Sequence, residues 1–293
     1  MADERIATLS ASPSAAASAA AIEGSAARRW AAQRGASLQI ISQVLLALAI
    51  LFFWEYASGR LIDTFFVSKP SLVATDLWKG LENGSLLKDV RVTLHETILG
   101  FALGTPLAIV LGFLLAQEQR AAAVLRPFIL VLYGIPRIAL APLFIVWFGI
   151  GMNSKIFLAM MISFFLVFFS TYSGVSSVDL GLKNVARVMG TSRFQMLTKV
   201  VLPSASPWII DGLRISFPQA LVAAVVAEVV MSTEGVGHRI ILSTQTFNMT
   251  GTMTGVITLV VVVMLASFLL DKLESIILRW RPAEARSAQS NGA

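Results

Sequence analysis

The chain has 293 residues, of which 56% are hydrophobic and 14% charged, with a formal net charge of +6. A soluble domain carries nearer ~25% charged residues, so this composition excludes a water-soluble globule, and the mean hydropathy of +0.76 agrees. The absence of cysteine excludes disulfides, iron–sulfur clusters and thiolate chemistry. With two histidines and no Gly-Lys pair, neither a metal site nor a phosphate-binding loop can be drawn.

Residues 1–36 are rich in Ala and Ser, contain Pro13, and hold too few large apolar side chains to offset the entropy of ordering, so a disordered cytoplasmic tail is expected. They lack the apolar core of a signal peptide, and Arg28-Arg29 reads as a cytoplasmic charge anchor. A transmembrane domain is expected over 37–275. Its first span, Leu38 to Tyr56, closes on Trp54 and Tyr56, aromatics suited to an interface. In the outer loop that follows, Lys69-Pro70-Ser71 opens a short amphipathic helix and Asn83-Gly84 marks a turn.

The second span, Val90 to Ala116, begins with polar Arg91, His95 and Glu96 and then turns apolar. Gly100, Gly104 and Gly112 would let a neighbouring helix approach closely, and Pro106 should bend the span. The third, Val124 to Gly149, is interrupted by Pro127, Gly134, Pro136 and Pro142. Backbone freed in this way is tolerated within a membrane only against protein or a water-filled cavity. Arg137 lies within this span, and a straight helix would put it ~20 Å deep, where a cation costs at least ~2.5 kcal/mol. Pro136, Arg137, Pro142 and Glu228 are therefore the candidate lining of a translocation path, with Arg137 either attracting an anion or pairing with Glu96 or Glu228. The fourth span, Lys155 to Gly174, is dense in phenylalanine and reads as packing.

Gly181 to Leu213 then interrupts the apolar pattern with Lys183, Arg187, Arg193 and Lys199. Val185, Val188 and Met189 recur at helical spacing before Gly190, and Phe194, Leu197 and Val201 after it. A basic loop between spans should face the cytoplasm, and its apolar side needs a surface to cover it. Leu202-Pro203 is expected to end the second short helix, because proline cannot continue one. The fifth span, Trp208 to Met231, carries Glu228, and Asp211 and Arg214 sit i, i+3 on one face as a local pair. Gly235-Val236-Gly237 suggests a tight turn or re-entrant piece, the sixth span covers Thr254 to Leu273, and a cytoplasmic tail takes 276–293. Six crossings with Lys and Arg concentrated on one side give an all-α integral membrane fold with both termini inside.

The loop resembles the cytoplasmic signature of binding-protein-dependent ABC permeases: Glu-Ala-Ala, three residues, Gly, nine residues, an aliphatic, one residue, Leu-Pro. Asn184-Val185-Ala186 holds the first triplet, Gly190 the glycine, and Val200, Leu202 and Pro203 the close. The sequence departs from the pattern in having Asn184 for the acid and Val185 for the first alanine. PRIALAPLFIVWFGIG (136–151), AEVVMSTEGVGHRI (227–240) and LLDKLESIILRW are similar to the nitrate, sulfonate and taurine branch. The resemblance implies a type I importer permease without catalysis of its own. Loop residues 175–207 would couple it to cytoplasmic ABC ATPases through Asn184, Val185, Ala186, Met189, Gly190, Phe194, Leu202 and Pro203. It further implies a second permease copy, a periplasmic solute-binding protein, no cofactor on this chain, and ATP and Mg on the partner ATPase. Membrane lipid is the only other partner expected, and no nucleic acid. The competing expectation is a secondary transporter driven by an ion gradient, which needs buried acids along a path; a membrane enzyme would need a His/Asp/Glu constellation, and none is visible. The solute is expected to be a small anion of the sulfonate, taurine or nitrate type, with a pyrimidine precursor as the alternative.

Overall fold

A computed structural model of the chain describes residues 39 and 41–277. The tail expectations for 1–36 and for 278–293 lie outside the described residues. The chain divides into two units, up to Asp63 and from Thr64 onward. In the first, α1 (Ile41–Ala57) is a short apolar helix, closed by a turn in which Ser58 bridges to Ile62 and the Arg60 guanidinium lies 4.5 Å from the centre of the Tyr56 ring.

The second unit begins with α2 (Pro70–Glu82), which has proline in its first turn, where the missing N–H costs nothing. The turn after it is made by Gly84 at φ 74 and by Asn83, whose side chain accepts from the Ser85 N–H at 2.9 Å. Then follow α3 (Ser85–Gln117), α4 (Gln119–Gly134), a 3-10 turn (Arg137–Leu140), α5 (Ala141–Phe148), α6 (Met152–Ser176), α7 (Leu180–Val188), α8 (Arg193–Gln195), a π-helical turn (Met196–Val201), α9 (Leu202–Met231), α10 (Val236–Gln245) and α11 (Met249–Ile277).

Among the described residues, four continuous helical stretches are long and apolar enough to cross a bilayer: α3, α6, Arg193–Val230 and α11. The bent α4–α5 pair makes a fifth, and α1 adds a shorter apolar helix. Six crossings were expected, so the structure matches that count only as far as five spans and this short one. Pro106 lies inside an unbroken α3. The third expected span is broken, as its prolines and Gly134 imply, and its two halves meet at 77°. Pro142 sits in the first turn of α5 rather than inside a helix.

The body of the second unit is α3, α6 and α9 packed side by side. Its contacts are made at glycines. A Cβ on Gly100 would fall 2.6 Å from the Ala159 Cβ, and one on Gly104 2.6 Å from the Met160 carbonyl oxygen. Gly174 stands the same way against Trp208, and Gly212 against Ser170, each at 2.5 Å. Without a hydrophobic driving force between helices in lipid, close backbone approach supplies the van der Waals contact that holds them together. Ala108, Leu158, Val167, Ala205, Ala220 and Leu221 fill the spaces left between these crossings.

Candidate functional site

Two regions stand out, one at each end of the bundle. The first is the loop between α6 and α9. Asp179 caps α7 by accepting the Gly181 N–H at 2.8 Å. The helix ends in a Schellman motif: Gly190 donates to the Arg187 carbonyl at 2.9 Å and Thr191 to the Ala186 carbonyl at 3.2 Å. That geometry puts Gly190 at φ 77, a conformation costly for any residue with a Cβ. Ser192 and Gln195 then start the next helix with a capping box, their reciprocal bonds measuring 2.9 and 3.2 Å.

The expected end at Leu202-Pro203 does not occur. Helical structure runs unbroken from Arg193 to Val230, 38 residues. The physical reason lies in the π-helical turn Met196–Val201. In an α-helix the Pro203 ring would clash with the carbonyl of Lys199 and leave it unpaired. The wider i→i+5 turn moves the carbonyls apart and lets the proline in. Pro207, expected at the start of the fifth span, lies inside this helix.

The loop's apolar side chains have no cover. Val188 is 89% exposed, Met189 78% and Phe194 74%, and Leu180, Val185 and Leu202 are exposed as well. Asn184, Gly190 and Pro203 also stand at the surface. Of the expected coupling residues only Ala186 is buried, which follows from its place on the inner side of α7.

The second region is a cluster of ionisable groups at the other end of the body. Glu96 on α3 and Glu228 on α9 are both 0% exposed, and Lys155 on α6 is 4% exposed. Lys155 forms an ion pair with Glu96 and donates to the Ser232 hydroxyl at 2.9 Å. Glu228 accepts from the Thr93 hydroxyl at 2.7 Å and from the Gly237 N–H at 2.7 Å. The Thr93 hydroxyl in turn accepts the Val236 N–H at 3.0 Å. The first two N–H groups of α10 thus face a hydroxyl and a carboxylate, the arrangement a helix N-terminus favours. Just outside the cluster, Lys88 pairs with Glu234 at 2.7 Å and holds that carboxyl below the usual carboxylate range through their hydrogen bond. Arg239 pairs with Asp89 at 2.6 Å and bonds the Ser85 hydroxyl at 2.9 Å.

Sequence reasoning made Lys155 the outer end of the fourth span and put Glu96 with His95 at the polar start of the second. His95 is exposed, while Glu96 one position later turns into the helix seam. The sequence cue for burial was present in Thr93, Glu96, Thr97 and Gly100, all of which face inward. Glu228, proposed for the translocation path, is held by its own chain in this cluster. Pro136 and Arg137 lie at the break between α4 and the 3-10 turn. Because the span bends by 77° there, the straight-helix depth assigned to Arg137 does not hold; its side chain lies outside the described residues. Arg214, expected to pair locally with Asp211, reaches α11, with Asp271 at 2.7 Å and Glu274 at 3.3 Å. No group of three or more His, Cys, Asp or Glu able to hold a metal occurs among the described residues.

Comparison with known proteins gives the family and the fold. Residues 104–280 match the family described as binding-protein-dependent transport system inner membrane component. The protein named for aliphatic sulfonates transport, SsuC, of Bacillus subtilis (strain 168) is 32% identical over 81% of this chain and 87% of its own length. The riboflavin transport system permease protein RibX of Chloroflexus aurantiacus is 31% identical over 80% and 87%. The formylaminopyrimidine transport permease protein ThiX of Halalkalibacterium halodurans is 28% identical over 84% and 98%. Among solved structures, a chain of an amino acid ABC transporter superposes with a TM-score of 0.56 at 19% identity, covering 70% of this chain and 98% of that one. A chain of the MetNI methionine ABC transporter in an inward-facing form gives 0.54 at 21%, covering 66% and 94%. These two likenesses speak for the fold. The extent of the family match and the sulfonate relative's identity together show that this chain is a multi-pass inner-membrane permease of the binding-protein-dependent ABC transport family.

Proposed function

We propose that this chain pairs with a second permease copy and moves a small anionic solute inward, driven by separate ATPase subunits that grip the loop over 181–213. The observation that carries this reading is the uncovered apolar surface of Val185, Val188, Met189 and Phe194 at the end of an unbroken helix. Apolar groups in water at a helix–turn–helix tip favour a groove on another protein. Because the helix is continuous, a push on the tip reaches the body. ATP and Mg reside on the ATPase in this reading, and a solute-binding protein meets the outer face.

Replacing Met189 and Phe194 together by aspartate tests the docking. The chain is expected to insert and accumulate normally but to lose co-purification with the ATPase encoded beside it. Unchanged co-purification would overturn the docking role.

The solute assignment rests on the sulfonate relative and on the arginine at the α4–α5 break. Relatives named for formylaminopyrimidine and riboflavin support a second reading, a heterocyclic solute. Uptake measured with radiolabelled taurine, nitrate and a pyrimidine precursor separates the two. If Arg137 serves an anion, Arg137→Ala lowers anion uptake at least tenfold at equal protein level, and Arg137→Lys less. A gradient-driven carrier is disfavoured because the two buried acids it would use are already engaged, Glu96 by Lys155 and Glu228 by Thr93 and Gly237.

A further inference from the structure

The described contacts of α10 and α11 with the body carry more side-chain hydrogen bonds and ion pairs than those within it. Inside the α3–α6–α9 body, backbones touch at Gly100, Gly104, Gly174 and Gly212, and packing that close yields little to displacement. The α10–α11 hairpin is equally tight within itself. A Cβ on Gly251 would fall 2.6 Å from the Ser243 hydroxyl and one on Gly255 2.5 Å from the Ile240 side chain, while Asn248 caps the start of α11 at 3.0 Å. Between hairpin and body the named side-chain bonds are polar, beside one close backbone approach, where a Cβ on Gly237 would run into the Val225 carbonyl oxygen, and the buried Val236 side chain. At its outer end Glu228 holds Gly237, Thr93 holds Val236, and Asp89 and Ser85 hold Arg239. At its inner end Arg214 holds Asp271 and Glu274. Apolar packing of α11 directly on α9 is sparse. The α2 helix packs on both α3 and α11, and Ser68, two residues ahead of it, shares a 2.8 Å hydrogen bond with the Thr250 hydroxyl of α11.

A hydrogen-bonded seam can exchange its partners for water at a small net cost, whereas an apolar seam cannot. Water is close at the outer end, since Lys88 and Glu234 directly beside the cluster are about half exposed. The charged and dipolar groups facing the clasp are Glu96 and Thr93 from α3, Lys155 from α6, Glu228 from α9, Glu234 from the connecting loop, and the N-terminus with Arg239 from α10, with the buried Val236 side chain beside them. From this arrangement we infer that the α10–α11 hairpin moves as one piece against the α3–α6–α9 body during transport. The Glu228–Thr93 clasp on the α10 N-terminus is its releasable end, and the Arg214 clasp is its pivot. The idea rests on the transport reading above and adds to it which element moves and what releases it. Glu228 and Thr93 are positioning residues in this proposal: they act through α10.

The chain's lack of cysteine makes the test clean. Nitroxide labels at Leu87→Cys with Leu242→Cys span the outer end of the seam, and labels at Ile215→Cys with Leu273→Cys span the inner end; all four sites are exposed. Distances are read by pulsed EPR in the complete transporter in vesicles, with and without ATP and vanadate. The outer distance is expected to change by about 5 Å, the scale of one helix sliding past another, while the inner distance stays fixed. Glu228→Gln, which keeps the shape but can accept only one of its two bonds, should populate the changed distance without nucleotide and raise ATP hydrolysis severalfold in the absence of binding protein. If Glu228→Gln fails to accumulate, Thr93→Val removes the same clasp and must give the same shift. A complex that takes up solute with the outer distance constant overturns the moving hairpin and leaves the transport reading intact. A clasp variant with the wild-type distance distribution overturns the release. A chain that never assembles with an ATPase overturns the transport reading itself.

Discussion

Glu228 shows how much one side chain can organise when water is excluded. Both of its oxygens are used, and the glycines beside it leave no room for more: Gly235 sits at φ 108, and a Cβ there would run into the Glu228 carboxylate. Removing the carboxylate leaves the Gly237 N–H without its acceptor, while the Thr93 hydroxyl keeps the Asp89 carbonyl at 3.1 Å. Glu228→Ala is therefore expected to cost about 1–3 kcal/mol, seen as a lower midpoint of thermal unfolding in detergent; an unchanged midpoint would mean that this carboxylate contributes nothing to folding. Gly235→Ala should cost about 1–3 kcal/mol through its backbone conformation alone, with the contact adding to it, by the same measurement.

At the scale of elements, the π-helical turn before Pro203 sets the angular register between the loop and α9. Without the proline, the segment can relax into an α-helix, which turns the loop by about one residue's rotation, ~100°. Pro203→Ala is therefore expected to keep expression and ATPase binding but to lower uptake at least tenfold, checked by comparing solute uptake with ATP hydrolysis in the same vesicles. Equal uptake would show that the register is immaterial. In the body, Gly104→Leu would drive a side chain into the Met160 carbonyl and the Ser163 hydroxyl. Overpacking of this kind costs about 1–3 kcal/mol and should reduce the amount of folded protein recovered from membranes.

The elements that local chemistry decides were legible in advance. The Pro70 start of α2, the Asn83-Gly84 turn, the Gly190 turn and the small-residue stripe of α3 all follow from residues within a few positions of one another. The ion cluster was not legible, because Lys155 meets Glu96 and Ser232 only after three helices are assembled, and because Glu228 is satisfied partly by backbone N–H groups that no side-chain pattern announces. The proline rule misled at Pro203 for a related reason. It assumes an α-helix, and the chain changed helix type instead.

For the whole molecule, the proposed coupling depends on which side of the membrane each site faces. The loop with Asn184 and the segment with Glu234 lie at opposite ends of the α3–α6–α9 body. In intact cells, a membrane-impermeant maleimide should label Glu234→Cys directly and Asn184→Cys only after the membrane is breached. The reverse pattern would place the loop outside, away from any ATPase.

The stretch from Arg193 to Val230 covers 38 residues, roughly 55 Å at ~1.5 Å per residue and nearly twice the ~30 Å of hydrocarbon it must cross. The excess protrudes as a stalk whose points of give are the π-helical turn at 196–201 and the prolines Pro207 and Pro218. Tilting such a stalk by about 5° about its middle swings each end by only ~2–3 Å, in opposite directions and at the same instant. In the proposed coupling, a partner engaging the tip would therefore deliver a short stroke, reduced further by whatever bending those points allow.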